Sequence, residues 1–188
     1  DYGAIPLRLH ETTSLSGNNN LARTSLDSIY GQIEQDLQTA ANTLPKSYSG
    51  SDVGRVTSYA AYAMLGKVYL QEGKKDLAVK ALRNVVFSGT PYSLLREYAD
   101  LWNPNLKNSA ESIYEIQFLP PLNGSPFWSY FAPLSLGVPG GNDGGTSPNS
   151  PTKDLIDAYE PGDSRLAASI GYDATGRPYI LKFADPGV

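Results

Sequence analysis

The residues best suited to chemistry form one aromatic cluster, Phe127-Trp128-Ser129-Tyr130, followed by Asn142-Asp143. An aromatic ring packs against the C–H face of a flat polar ligand such as a sugar, and Asn or Asp pairs with its hydroxyls. This mixture suits non-covalent capture. Trp128 is the first stacking platform and Tyr130 the second; Phe127 stands beside them, and Asn142 and Asp143 supply hydrogen bonds. The same rings suit a second role, in which Trp128 and Phe131 anchor a loop onto the core. Trp102, next to Tyr98-Ala99-Asp100-Leu101, reads as a core residue.

Groups for covalent or acid–base work are poorer. Asp154, Asp157 and Glu160 recur at three-residue spacing and would share a helix face. Glycoside hydrolases use two carboxylates about 5–10 Å apart. Such a row is also the ordinary solvated face of a helix, with Asp154 favoured near the helix start. The lone His10 has no evident Ser or Asp partner for a triad. Gly140-Gly141-Asn142-Asp143-Gly144-Gly145 lacks the Lys-Ser/Thr ending of a phosphate loop and the ligand periodicity of an EF-hand. It reads as a surface turn, with calcium held by carbonyls and Asp143 as the alternative. No metal and no cofactor is expected.

Composition narrows the classes further. The 188 residues carry a net charge of −4 and no Lys/Arg run, which gives no footprint for nucleic acid. Cysteine is absent, so disulfides, zinc thiolates and a thiol nucleophile are excluded. Charged residues make up 18%, against about a quarter in an average domain. Tyr occurs 13 times, which gives a charge-poor chain many amphipathic rings. No apolar run reaches the length of about 18 residues that a membrane-spanning helix needs.

The elements that must position these residues fall into two halves. Leu26, Ile29, Tyr30, Ile33, Leu37, Ala40, Ala41 and Leu44 share one face of a predicted helix over 25–44. Thr24 and Asp27 would form its capping box, and Pro45 ends it. A second helix is predicted over 57–71, capped by Thr57 and closed by Gly73. A third runs from Asp76 to Ser88. Gly66 would let these two helices approach closely. After Pro91 the pattern changes to a helical turn at 98–102, a strand at 112–118 and a loop over 119–150. A helix over 150–159, a turn at 173–176 and a strand over 179–183 follow. Asp163 and Arg165 would make a local turn contact.

Tyr62, Leu65, Gly66, Tyr69, Ala78, Leu82 and Val85 are spaced as in a tetratricopeptide helix pair, which needs neighbours to bury its apolar face. Four stretches then resemble the SusD/RagB family of outer-membrane nutrient-binding lipoproteins of Bacteroidetes. They are Tyr2-Gly3-Ala4-Ile5-Pro6-Leu7; Gly54-Arg55-Val56-Thr57 with Leu65-Gly66-Lys67-Val68-Tyr69-Leu70; Glu111-Ser112-Ile113-Tyr114-Glu115-Ile116-Gln117-Phe118; and Pro151-Thr152-Lys153-Asp154-Leu155-Ile156-Asp157-Ala158-Tyr159-Glu160 with Gly162-Asp163-Ser164-Arg165-Leu166.

The resemblance implies a mainly α fold of tetratricopeptide-like helix pairs with a loop-rich part containing short strands. Residues 1–188 would be the central part of one such domain, with 1–90 helical and 91–188 on the ligand side. A partner helix for 25–44 and a lipid-bearing Cys would lie upstream, and the family's carboxy-terminal part would follow. It further implies a non-catalytic, surface-exposed outer-membrane lipoprotein that passes a glycan, or sometimes a peptide, to a SusC-like TonB-dependent transporter. The residues leave two alternatives open: a tetratricopeptide-type adaptor gripping a peptide, and a carbohydrate-active hydrolase.

Overall fold

The apolar repeat over 25–44 folds as helix α1, Leu26–Thr43. The computed structural model describes residues 2–11, 21–87, 89–118, 128, 131–136 and 149–184. They divide into two units, Asp1–Pro91 and Tyr92–Val188. The cap of α1 differs from expectation: Ser25, not Thr24, accepts the Ser28 N–H, at 3.3 Å. Thr24 is drawn into an extended bridge with Ile5, whose carbonyl accepts the Thr24 N–H at 2.9 Å. Asp27 stays in the first turn, where the helix dipole favours a carboxylate. Leu44 is already extended (ψ 149°), because Pro45 follows it.

Helix α2 spans Ser58–Gln71, and the Thr57 hydroxyl accepts the Ala60 N–H at 3.2 Å, as predicted. The helix closes on Gly73, at φ +75°. The Gly73 N–H donates to Leu70 and the Lys74 N–H to Tyr69, a Schellman pattern that satisfies two end carbonyls. Helix α3, Lys75–Val86, starts one residue before the predicted point; Asp76 lies in its first turn and does not cap it.

Helix α2 packs on both α1 and α3. The buried apolar residues are Ile29 and Ala41 of α1, Tyr59, Ala61 and Leu65 of α2, and Ala78, Ala81 and Val85 of α3. The small residues bring the backbones together. A Cβ on Gly66 would lie 2.5 Å from Leu82 Cγ, so this glycine serves the close crossing read from sequence. Lys74 ties α1 to the α2–α3 turn through ion pairs with Glu34 and with Glu72. Its ammonium holds the Glu34 carboxyl below the ordinary 4.5.

The second unit is less regular. A 3₁₀ turn covers Tyr98–Trp102, as expected. Helix α4 is short, Lys153–Asp157, capped by the Thr152 hydroxyl on the Leu155 N–H at 3.2 Å. The predicted helix over 150–159 shrinks because Thr152 takes the cap and leaves Pro151 outside. Helix α5, Ser164–Ser169, runs into strand β1, Ile170–Tyr172. β1 pairs antiparallel with β2, Pro178–Ile180, with Gly171 opposite Tyr179. The strand expected at 179–183 is therefore shifted and shortened.

The strand expected over 112–118 is not formed. That segment is tied by side chains: the Leu95 N–H donates to Glu111, and the Asn108 N–H to Glu115. The Asn108 and Gln117 amides exchange two bonds at 3.0 Å. Alternation sets which side chains share a face but supplies no pairing edge, and Ile116 is 68% exposed. Among the described residues the architecture is mainly helical with two short strands, as the resemblance implies.

Candidate functional site

The turn of the β1–β2 hairpin is organised by one buried carboxylate. Asp173 is 8% exposed. Its Oδ1 accepts the Thr175 hydroxyl at 2.6 Å, the Thr175 N–H at 2.9 Å and the Arg177 N–H at 3.0 Å. Its Oδ2 accepts the Ser135 hydroxyl at 2.7 Å. These donors, the Thr175 hydroxyl foremost, hold its pKa well below the usual carboxylate range. An ionised Asp at this position thus pins both its own turn and the segment that follows Trp128.

That segment meets the hairpin and its continuation at three points. Besides the Ser135–Asp173 bond, the Trp128 ring lies 6.0 Å from the Tyr179 ring at 51°. The Phe131 ring lies 4.9 Å from Phe183 at 38°. The Ala132 N–H donates to the Trp128 carbonyl at 2.8 Å. Ala132 and Pro133 are buried, whereas Trp128 and Phe131 are half-buried. Phe183 stands edge-on to Trp102, which is edge-on to Tyr98. The Lys182 ammonium sits 5.0 Å from the Trp102 ring centre, a cation–π distance. Trp102, read as core, is half-buried within this ring cluster.

Of the predicted ligand residues, Trp128 is half-buried and lies against Tyr179 of the hairpin. Phe127, Tyr130, Asn142 and Asp143 lie outside the described residues, as does the Gly140–Gly145 loop. Sequence reading missed Tyr179 and Asp173 as neighbours of the aromatic segment. The signal for Tyr179 is its register opposite Gly171 in a hairpin closed by Asp173-Ala174-Thr175-Gly176.

The candidates for acid–base work are solvent-exposed. Asp154, Asp157 and Glu160 face water, and Asp157 is paired with Lys153. Glu160 lies beyond the end of α4. His10 is exposed. The Asp163–Arg165 contact forms as expected, Nε to Oδ1 at 2.9 Å, and lowers the Asp163 pKa. No group of His, Cys, Asp and Glu able to hold a metal is found among the described residues. No helix among them is long and apolar enough to cross a membrane. In the helical unit an open concavity of about 500 Å³ is lined by Asn42, Lys46, Tyr59, Tyr62, Arg83 and Asn84, with other residues.

Residues 1–70 match a family model described as "Starch-binding associating with outer membrane". SusD-like protein P25 of Formosa agariphila is 33% identical over 104 residues, which cover 55% of this chain and 20% of that protein. A SusD superfamily protein from Bacteroides vulgatus superposes with a TM-score of 0.73 at 27% identity, over 96% of this chain and 42% of its own. Surface glycan-binding protein A from Bacteroides uniformis shares the fold, with a TM-score of 0.72 at 19% identity, over 97% of this chain and 42% of its own. The chain thus spans about one fifth of the curated relative it matches. On sequence and fold together, it is similar to SusD-like proteins.

Proposed function

We propose that this chain serves in non-catalytic capture of a glycan at the outer surface of an outer membrane. The protein hands its ligand to a SusC-like TonB-dependent transporter. The second unit contacts the glycan and the helical unit docks on the transporter, while a lipid anchor outside this sequence holds the protein to the membrane. One observation carries the reading: Trp128 is a half-buried ring on a segment that, among the described residues, meets the hairpin and its continuation through Tyr179, Phe183 and Asp173. A ring held this way stacks on a sugar without first losing conformational freedom. Phe127, Tyr130, Asn142 and Asp143 complete the proposed site.

The family-model match over residues 1–70 and the name of the Bacteroides uniformis neighbour support a glycan as the ligand. The solvent-exposed Asp154, Asp157 and Glu160, with Asp157 paired to Lys153, support binding without turnover. A glycan array run beside hydrolysis assays on the same sugars, with soluble starch included, tests this. Binding with no released product is the expected result, and turnover would overturn it.

A second reading, peptide capture, rests on the concavity of the helical unit, which presents Lys46 and Arg83 with no carboxylate in its lining. Binding of an acidic peptide with no affinity for any glycan would favour it.

A further inference from the structure

Gly171 is not a turn glycine. Its φ is not in the left-handed region, and it faces Tyr179 directly across the hairpin. A Cβ at Gly171 would lie 2.6 Å from Tyr179 Cζ and 2.7 Å from its hydroxyl oxygen. The ring therefore folds back over the glycine, as aromatic side chains do across a strand pair. Among the described residues, the Trp128 ring also lies beside it, at 6.0 Å. Beyond the turn, the Ser135–Asp173 bond holds the chain that leaves Trp128.

We propose that the Gly171–Tyr179 pair is a positioning device that sets the plane and exposure of the Trp128 ring. Tyr179 is the wall against which Trp128 rests, and Gly171 is the space that puts the wall there. This rests on the reading of Trp128 as a glycan platform, because a stacking ring is useful only at a fixed angle. The atoms that a methyl group at Gly171 would strike belong to the far end of the Tyr179 ring. Gly171→Ala therefore displaces the ring and leaves the hairpin backbone in place.

The test labels the chain's two tryptophans with 5-fluorotryptophan and assigns their fluorine signals with Trp102→Phe. Gly171→Ala and Tyr179→Ala should move the Trp128 fluorine signal and, in the Trp102→Phe background, raise acrylamide quenching of the Trp128 fluorescence about twofold, as a half-covered ring becomes open. The Trp102 signal should stay in place, and Tyr179→Phe should keep Trp128 as in the parent. A Trp128 signal unmoved by Tyr179→Ala would overturn the proposal. So would equal movement of both signals, because that reports general loosening of the unit. The readout needs no ligand. A Trp128→Ala variant that still binds its glycan would therefore overturn the platform reading by itself, separately from the fluorine result.

Discussion

The two units hold their shape by different means. The first buries eight apolar residues from three helices, four of them alanine, and gains its stability from close backbone approach. Among the described residues of the second, the buried hydrophobics are Ala132 and Ile170, accompanied by Ser169 and Asp173. There, ring pairs and side-chain bonds to the backbone take the place of a packed core. The first arrangement suits a scaffold, since its shape is set by packed volume. The second leaves aromatic faces and hydroxyls within reach of solvent, which suits a ligand surface. Among its described residues, Asp173 and Tyr179 tie the Trp128 segment to the hairpin.

Variants can break this contrast. The largest effect should come from Leu65→Ala, at 1% exposure in the α1–α2–α3 core. It should cost about 2–5 kcal/mol, read by denaturant unfolding. Gly66→Ala should cost about 1–3 kcal/mol in the same assay, because Leu82 must be displaced to admit the methyl group. Thr57→Ala removes a cap and should cost about 1 kcal/mol. None of the three should alter hydrogen exchange at Thr175 or Arg177, whose amides are held by Asp173.

Acid sharpens the comparison. Glu34 and Asp173 both have folded pKa values below their ordinary 4.5 and 3.8. Each therefore contributes stability that is fully present above those values and is lost as pH falls through the folded pKa. Both units should thus resist acid until pH drops below the ordinary carboxylate range. Asp173→Asn should abolish that dependence in the hairpin alone, read as fast exchange of the Thr175 and Arg177 amides at all pH values.

Legibility in the sequence followed the same divide. The Thr57 cap and the Gly73 terminus were readable because each depends on residues within a few positions of one another, and the helix pair with its Gly66 crossing because its landmark spacing is that of a tetratricopeptide pair. Ser25 displaced Thr24 as a cap because Ile5, far away in sequence, captured Thr24. The segment 112–118 has a strand's alternation without a strand's partner. Helix α5 and strand β1 are too short for a periodic signal. Trp128 was readable as a candidate by residue type alone, but its wall, Tyr179, was not, since their contact depends on how the hairpin folds.

The central claim is that ligand contact belongs to the Trp128 segment and scaffolding to the helices. Calorimetric titration of the glycan chosen from the array, against Trp128→Ala and Thr57→Ala, tests it most directly. The account predicts at least about tenfold weaker binding for Trp128→Ala, the loss of one well-placed ring. It predicts unchanged affinity for Thr57→Ala below its melting point. Parent-like affinity in Trp128→Ala, or an equal loss in both variants, would contradict it.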